Sequence, residues 1–238
     1  MTPHSRENSV PPLILFGMTA VTGVVDAVSF LALGHVFTAN MTGNIVFLGF
    51  AAAGAPGVSL PRSAISLLAF VLGAVGGGRM GFQMSAHPAH HWASRAFGVD
   101  ALFLLAAAAA SYGIAQGQDS MQLFAVIAFT GIAMGFRNAT VRRLAIPDLT
   151  TTVLTSTITG LAADSSLAGG TNPRWRRRIA AILLMFAGAA AGGFMLRHSV
   201  ALPLLVCGLG SAAAALMVLA RGPDVAESVP PIRHGEDR

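Results

Sequence analysis

Apolar residues fall in long runs along this chain, and polar residues collect between them. Six runs, at 12–34, 60–80, 99–117, 120–141, 178–196 and 199–220, reach the length of about 20 residues needed to cross a bilayer core. Two further segments, 38–55 and 149–168, are shorter and more polar. The first opens Thr38-Ala-Asn-Met-Thr-Gly-Asn44 ahead of an apolar half. The second opens Thr150-Thr-Thr-Val-Leu-Thr-Ser-Thr-Ile-Thr159 ahead of Gly-Leu-Ala-Ala-Asp164. The pattern predicts an all-α integral membrane protein with six transmembrane helices plus two polar broken or re-entrant helices. Residues 1–11 and 222–238 read as disordered cytoplasmic tails. The 81–98 stretch, with histidines, Arg95 and Trp92, reads as a cytoplasmic interfacial loop, its tryptophan at headgroup level.

Composition supports the same class. Of 238 residues, 54% are apolar and only 11% charged, where a soluble domain carries about a quarter charged. The net charge of +5 comes from arginines crowded into short segments, so it implies a bilayer partner and no nucleic acid. The single cysteine, Cys207, sits in an apolar run and reads as a packing residue.

The arginines also decide how the two polar segments run. If all eight segments span, nine arginines lie inside and six outside. If the polar segments return to the side they came from, only Arg62 and Arg197 lie outside, thirteen against two. The second arrangement is preferred. It predicts a multi-pass protein of the bacterial inner membrane with both termini cytoplasmic.

The halves 12–118 and 119–221 resemble each other. Gly23, Asp26 and Ala27 match Gly135, Asn138 and Ala139 at an offset of 112. Thr38, Thr42, Ile45 and Leu48 match Thr151, Thr155, Ile158 and Leu161 one residue later in register. At an offset of 115, Arg62 meets Arg177, and Gly73-Ala74-x-x-Gly77-Gly78-x-Met80 meets Gly188-Ala189-x-x-Gly192-Gly193-x-Met195. With three spans in each half, the second must enter from the opposite face. That is the inverted repeat of many secondary transporters, whose sites lie at the midplane on discontinuous helices.

Several residues are candidates for chemistry. Asp26 lies near the middle of the first span, where a carboxylate costs about 2.5–3.5 kcal/mol. Thr22, Asp26 and Ser29 share one helical face. Asp26 reads as a proton, cation or solute site, or as interhelical glue to Asn40 or Asn44. Thr42, Gly43 and Asn44 are where a half-helix terminus is expected. Thr151, Thr152, Thr155 and Thr157 offer hydroxyls that can equally bond back to their own helix. Arg137, beside Asn138, can bind an anionic group or pair with Asp148 or Asp164. The expected solute-binding set is therefore Asp26, Ser29, Asn40, Thr42, Asn44, Arg137, Asn138, Thr155 and Asp164. The glycine clusters at 73–78 and 188–193 predict close helix approach. Arg174 to Arg178 read as an inner-face group touching anionic headgroups. His87, His90 and His91 lack a further fixed ligand beside them, so no metal and no cofactor is expected.

The stretch Gly23-Val-Val-Asp-Ala-Val-Ser-Phe-Leu-Ala-Leu-Gly-His-Val-Phe-Thr-Ala-Asn-Met-Thr-Gly-Asn44 resembles the YoaK-type family of uncharacterised bacterial membrane proteins. The second half agrees through Arg137-Asn138-Ala139, Arg143-Leu144, Pro147-Asp-Leu-Thr-Thr-Thr-Val-Leu-Thr155 and Thr159-Gly-Leu-Ala-Ala-Asp164. The resemblance spans residues 12–220 and implies a polytopic inner-membrane protein, with no activity attached. Ser156 departs from it, standing where the pattern has glycine.

The function expected is a small secondary transporter or carrier of a small polar solute or ion, not an enzyme. A non-catalytic membrane partner or sensor is the alternative. A lipid-modifying membrane enzyme is a weaker one, for want of clustered carboxylates or histidines. Six short spans enclose little volume, which leaves room for a homodimer.

Overall fold

The computed structural model describes residues 10–114, 119–144 and 154–221. Within them the chain forms eight α-helices and no strand: α1 Pro12–Ala32, α2 Met41–Ala52, α3 Leu60–Gln83, α4 Ala89–Ala110, α5 Met121–Leu144, α6 Leu154–Ala163, α7 Trp175–Met195 and α8 Ala201–Ala220. A 3₁₀ turn, Ser166–Ala168, lies between α6 and α7. Helices α1, α3, α4, α5, α7 and α8 are long and apolar enough to cross a membrane. With 12 and 10 residues, α2 and α6 extend only about 15–18 Å. The expected division into six long and two short helices therefore holds. Residues 1–9 and 222–238 of the two tails, Asp148, Thr151 and Thr152 lie outside the described residues, whereas Val10, expected in the disordered tail, is buried in a core cluster.

The largest boundary error concerns the 81–98 stretch. It is not an interfacial loop: α3 continues to Gln83, a short turn follows, and α4 starts at Ala89 behind Pro88. Proline suits a helix start because its missing N–H is one the helix leaves unpaired anyway. Trp92 is buried in a core cluster rather than exposed at headgroup level. The histidines and Arg95 interrupt the apolar run, so composition alone placed the third span, α4, ten residues late.

Glycines set the main packing. A methyl group at Gly23 would collide with the backbone of Met185 and Ala189, and one at Gly188 with the Ala20 carbonyl. Gly192 lies against Val24 and Ala27. These contacts run in register, so α1 and α7 are parallel with backbones touching. Helices α3 and α5 do the same: Gly135 abuts Phe70 and Ala74, Gly73 abuts Ile132, and Gly77 abuts Phe136. Small residues allow this approach, and dispersion rewards it where lipid gives no hydrophobic drive. Helices α4 and α8 pack antiparallel: Ser94 donates to the Ala215 carbonyl at 2.8 Å while Leu105 lies on Gly208. Helices α1 and α5 are also antiparallel, because Leu15 clusters with Leu144 at one end and Val28 with Leu123 at the other.

Three apolar clusters fill the bundle from end to end. One holds Met18, Trp92, Phe97 and Leu144; another, at the opposite end, holds Leu33, Ile127 and Leu204. Between them sits a small cluster of Val24, Val25, Leu104, Met134 and Cys207, where the cysteine is the packing residue expected.

Candidate functional site

Two polar constellations interrupt this core. The first begins where α1 ends. Gly34 (φ 85°) and His35 (φ 57°) are both left-handed, and the His35 N–H donates to the Phe30 carbonyl at 3.1 Å. This closure terminates a helix by satisfying one of its last free carbonyls. Gly34 is needed for a second reason, since any side chain would strike the Arg62 guanidinium. Arg62 in turn pairs with Asp119 at 2.8 Å.

From here the chain doubles back into the protein. Leu33, Val36, Thr38 and Ala39 are all buried. The Asn40 amide donates to Asp26 Oδ2. Asp26 lies six residues before the end of α1, so the extended limb descends roughly 9 Å alongside that helix. Helix α2 then rises from this depth. No side chain caps its N-terminus, which leaves free N–H groups and a partial positive charge there.

Asn44 holds the descending limb in place. Its side chain accepts the Phe37 N–H at 2.9 Å and donates to the Phe37 carbonyl, pairing both backbone groups as a neighbouring strand would. It also donates to Ser66 Oγ on α3 at 3.1 Å, and Ser66 donates to the Phe37 carbonyl at 2.6 Å. The Phe37 ring stacks between Phe30 and Phe47, with Gly43 underneath. Backbone that leaves the helix is thus satisfied and covered, as membrane depth requires.

Asp26 itself is 6% exposed. Among the described residues its Oδ1 is buried with no hydrogen-bond partner, and so is the Thr38 hydroxyl. Ser29 donates to the Asp26 backbone carbonyl at 3.1 Å, not to the carboxylate.

The second constellation is Arg137 with Asp100. Both side chains are fully buried, with Arg137 Nη2 at 2.5 Å from Asp100 Oδ2. Nη2 also donates to Ser211 Oγ at 3.0 Å, and Nη1 lies 3.4 Å from Thr22 Oγ1 and the Met18 carbonyl. One ion pair therefore ties α1, α4, α5 and α8 together. Met18 and Phe97 belong to the cluster on one side of it, Leu104, Met134 and Cys207 to the cluster on the other.

Most of the expected site residues are accounted for, and they do not form one set. Asp26 and Asn40 meet, while Asn44 and Ser29 only shape the backbone around them. Thr42, on the first turn of α2, is exposed. Arg137 pairs with Asp100 and not with Asp164; Asp148, the other acid expected for it, lies outside the described residues. Asp164 instead pairs with Arg178 at 2.8 Å, and Arg178 also donates to the Gly160 carbonyl at 2.6 Å. Arg178 is thus buried between α6 and α7 and is not a headgroup contact, whereas Arg176 stacks on the half-exposed Trp175. Asn138 donates to the Met134 carbonyl at 2.9 Å. Thr155 is exposed and Thr157 buried on α6. Asp100 was missed because it stood at the edge of an apolar run. Reading Pro88 as a helix start would have placed it at mid-helix.

A bundle of six membrane-length helices, interrupted inside by a buried ion pair and a buried carboxylate, defines a polytopic α-helical membrane protein. The chain belongs to the family described as "Protein of unknown function (DUF1275)", which matches residues 14–217. It is 32% identical over 166 residues to the UPF0700 transmembrane protein YoaK of Bacillus subtilis (strain 168), a match covering 70% of each chain. No solved structure matches.

Proposed function

We propose that this protein is a small secondary transporter of a polar solute, with its site at the bilayer midplane where the 33–40 limb meets α1. The observation that carries this reading is the Asp26 carboxylate. It is buried on a membrane-length helix, held by Asn40 at the start of the short helix α2, and keeps one oxygen free among the described residues. Intramembrane ionisable groups of this kind mark ion and substrate paths.

The likeness of the two halves, read as an inverted repeat, supports the same reading. The backbone contacts recur at the offsets seen in the sequence: Gly23 on Met185 corresponds to Gly135 on Phe70, and Gly188 on Ala20 to Gly73 on Ile132. Helix α1 runs opposite to its counterpart α5, and α4 opposite to α8. Setting aside the buried Arg137, arginines favour one side twelve to two. By the positive-inside rule this supports an orientation with both termini on the cytoplasmic side of a bacterial inner membrane. Helix α2 then dips from the outer face and α6 from the inner one.

Sidedness labelling in intact cells tests this, on a Cys207→Ala background. Ala55→Cys is expected to label from outside and Thr171→Cys only after the inner face is opened. If both label from the same face, the two short helices span, the inverted repeat fails, and the transporter reading fails with it.

A further inference from the structure

Asp26 differs from Asp100, the other buried acid among the described residues, in having no cation beside it there. Asp100 is neutralised by Arg137, and Asp164 is paired with Arg178. The groups facing Asp26 can be followed element by element. Helix α7 presents Gly192 and its neighbours at this level, against Val24 and Ala27. Helix α8 presents Cys207, against the Val21 carbonyl. Helix α5 presents Arg137 a turn lower, at Thr22, already engaged by Asp100. The limb itself carries His35, which is exposed with its ring against Phe30, and Gly34, which lies against Arg62 of α3, a cation that pairs with Asp119. None of these supplies a compensating positive charge, and a lone carboxylate at this depth is costly. Something must neutralise it.

We propose that Asp26 is a proton-binding site, its carboxyl taking up and releasing a single proton at Oδ1. The carboxylate accepts a proton from hydronium, leaving water and a neutral acid; release returns the proton to water and restores the charge. A metal cation fits the surroundings less well. Hard cations take about six oxygen ligands, whereas the carboxylate here meets an N–H donor, the Asn40 amide. That donor and the bare N-terminus of α2 stabilise the charged form, while burial favours the neutral one. The opposition makes the proton exchangeable rather than permanently bound. Its role as the coupling ion rests on the transporter reading; the protonation itself rests on this geometry alone.

Infrared difference spectra test the site on the full-length protein in lipid vesicles, between mildly acidic and mildly alkaline buffer, in sodium and in potassium. The expected result is a protonated-carboxyl stretch that rises with acid, disappears in Asp26→Asn, and shifts in frequency in Asp26→Glu. The glutamate variant carries the test should the asparagine variant not fold. Spectra unchanged by either substitution would overturn the proposal. So would a band that sodium abolishes at fixed pH and potassium does not, because a metal ion would then hold the site. A titrating Asp26 band in a protein that moves no solute would leave the proton site standing and remove its coupling role.

Discussion

Asp26 and Asp100 are both acids buried at mid-helix inside the same bundle, and they keep opposite company. Asp100 meets Arg137, and the pair is tied through Ser211 and Thr22 to four helices, with apolar clusters on either side. Asp26 meets the Asn40 amide at the point where the 33–40 limb runs back beside α1. The first arrangement is electrically closed and fixed by long helices. The second is electrically open, and a short helix and an extended limb form one wall of it. A closed pair serves to hold helices in place, whereas an open one can exchange a ligand.

The contrast predicts graded effects of substitution. Removing one member of the closed pair strands a buried charge, so Arg137→Ala or Asp100→Ala should cost about 3–5 kcal/mol, read as unfolding in mixed micelles. Exchanging both for apolar residues, Asp100→Leu with Arg137→Met, should recover most of that loss; a double variant as unstable as the singles would refute the lock. Next come the glycine seams that position both sites. Gly188→Ala and Gly135→Ala each force backbones apart and should cost about 1–3 kcal/mol or more. Gly78→Ala, with nothing near its Cα, should stay within about 0.5 kcal/mol. Asn44→Ala leaves the Phe37 backbone groups short of partners, a loss of about 1–3 kcal/mol. It should also loosen the limb, which proteolysis of the 33–40 segment would detect. Asp26→Asn should also cost little stability, within about 1 kcal/mol, because shape and hydrogen bonding are kept. If the account holds, that variant nonetheless abolishes solute exchange in vesicles.

The sequence made one site more legible than the other, for physical reasons. Asp26 stands alone in an apolar run, and the Thr38–Asn44 stretch is too polar and glycine-bearing for an ordinary span, so both announced themselves. The glycine clusters likewise announced the helix seams, because small residues at helical spacing have few other uses in lipid. Arg137 was visible, but its partner was not. Ion pairing between helices is a long-range fact, and Asp100 lies 37 residues away beyond a boundary that the histidines and Arg95 obscured. The same blindness assigned Asp164 to Arg137 and Arg178 to the membrane surface, when the two pair with each other.

The most direct test of the central contrast is thiol accessibility at the two sites in native membranes. On the Cys207→Ala background, Asn40→Cys and Ser211→Cys would be exposed to a small aqueous thiol reagent. The account predicts rapid modification at position 40 and none at position 211, since the limb opens to water and the ion-pair layer is dry. Equal reactivity at both positions, or none at either, would contradict it.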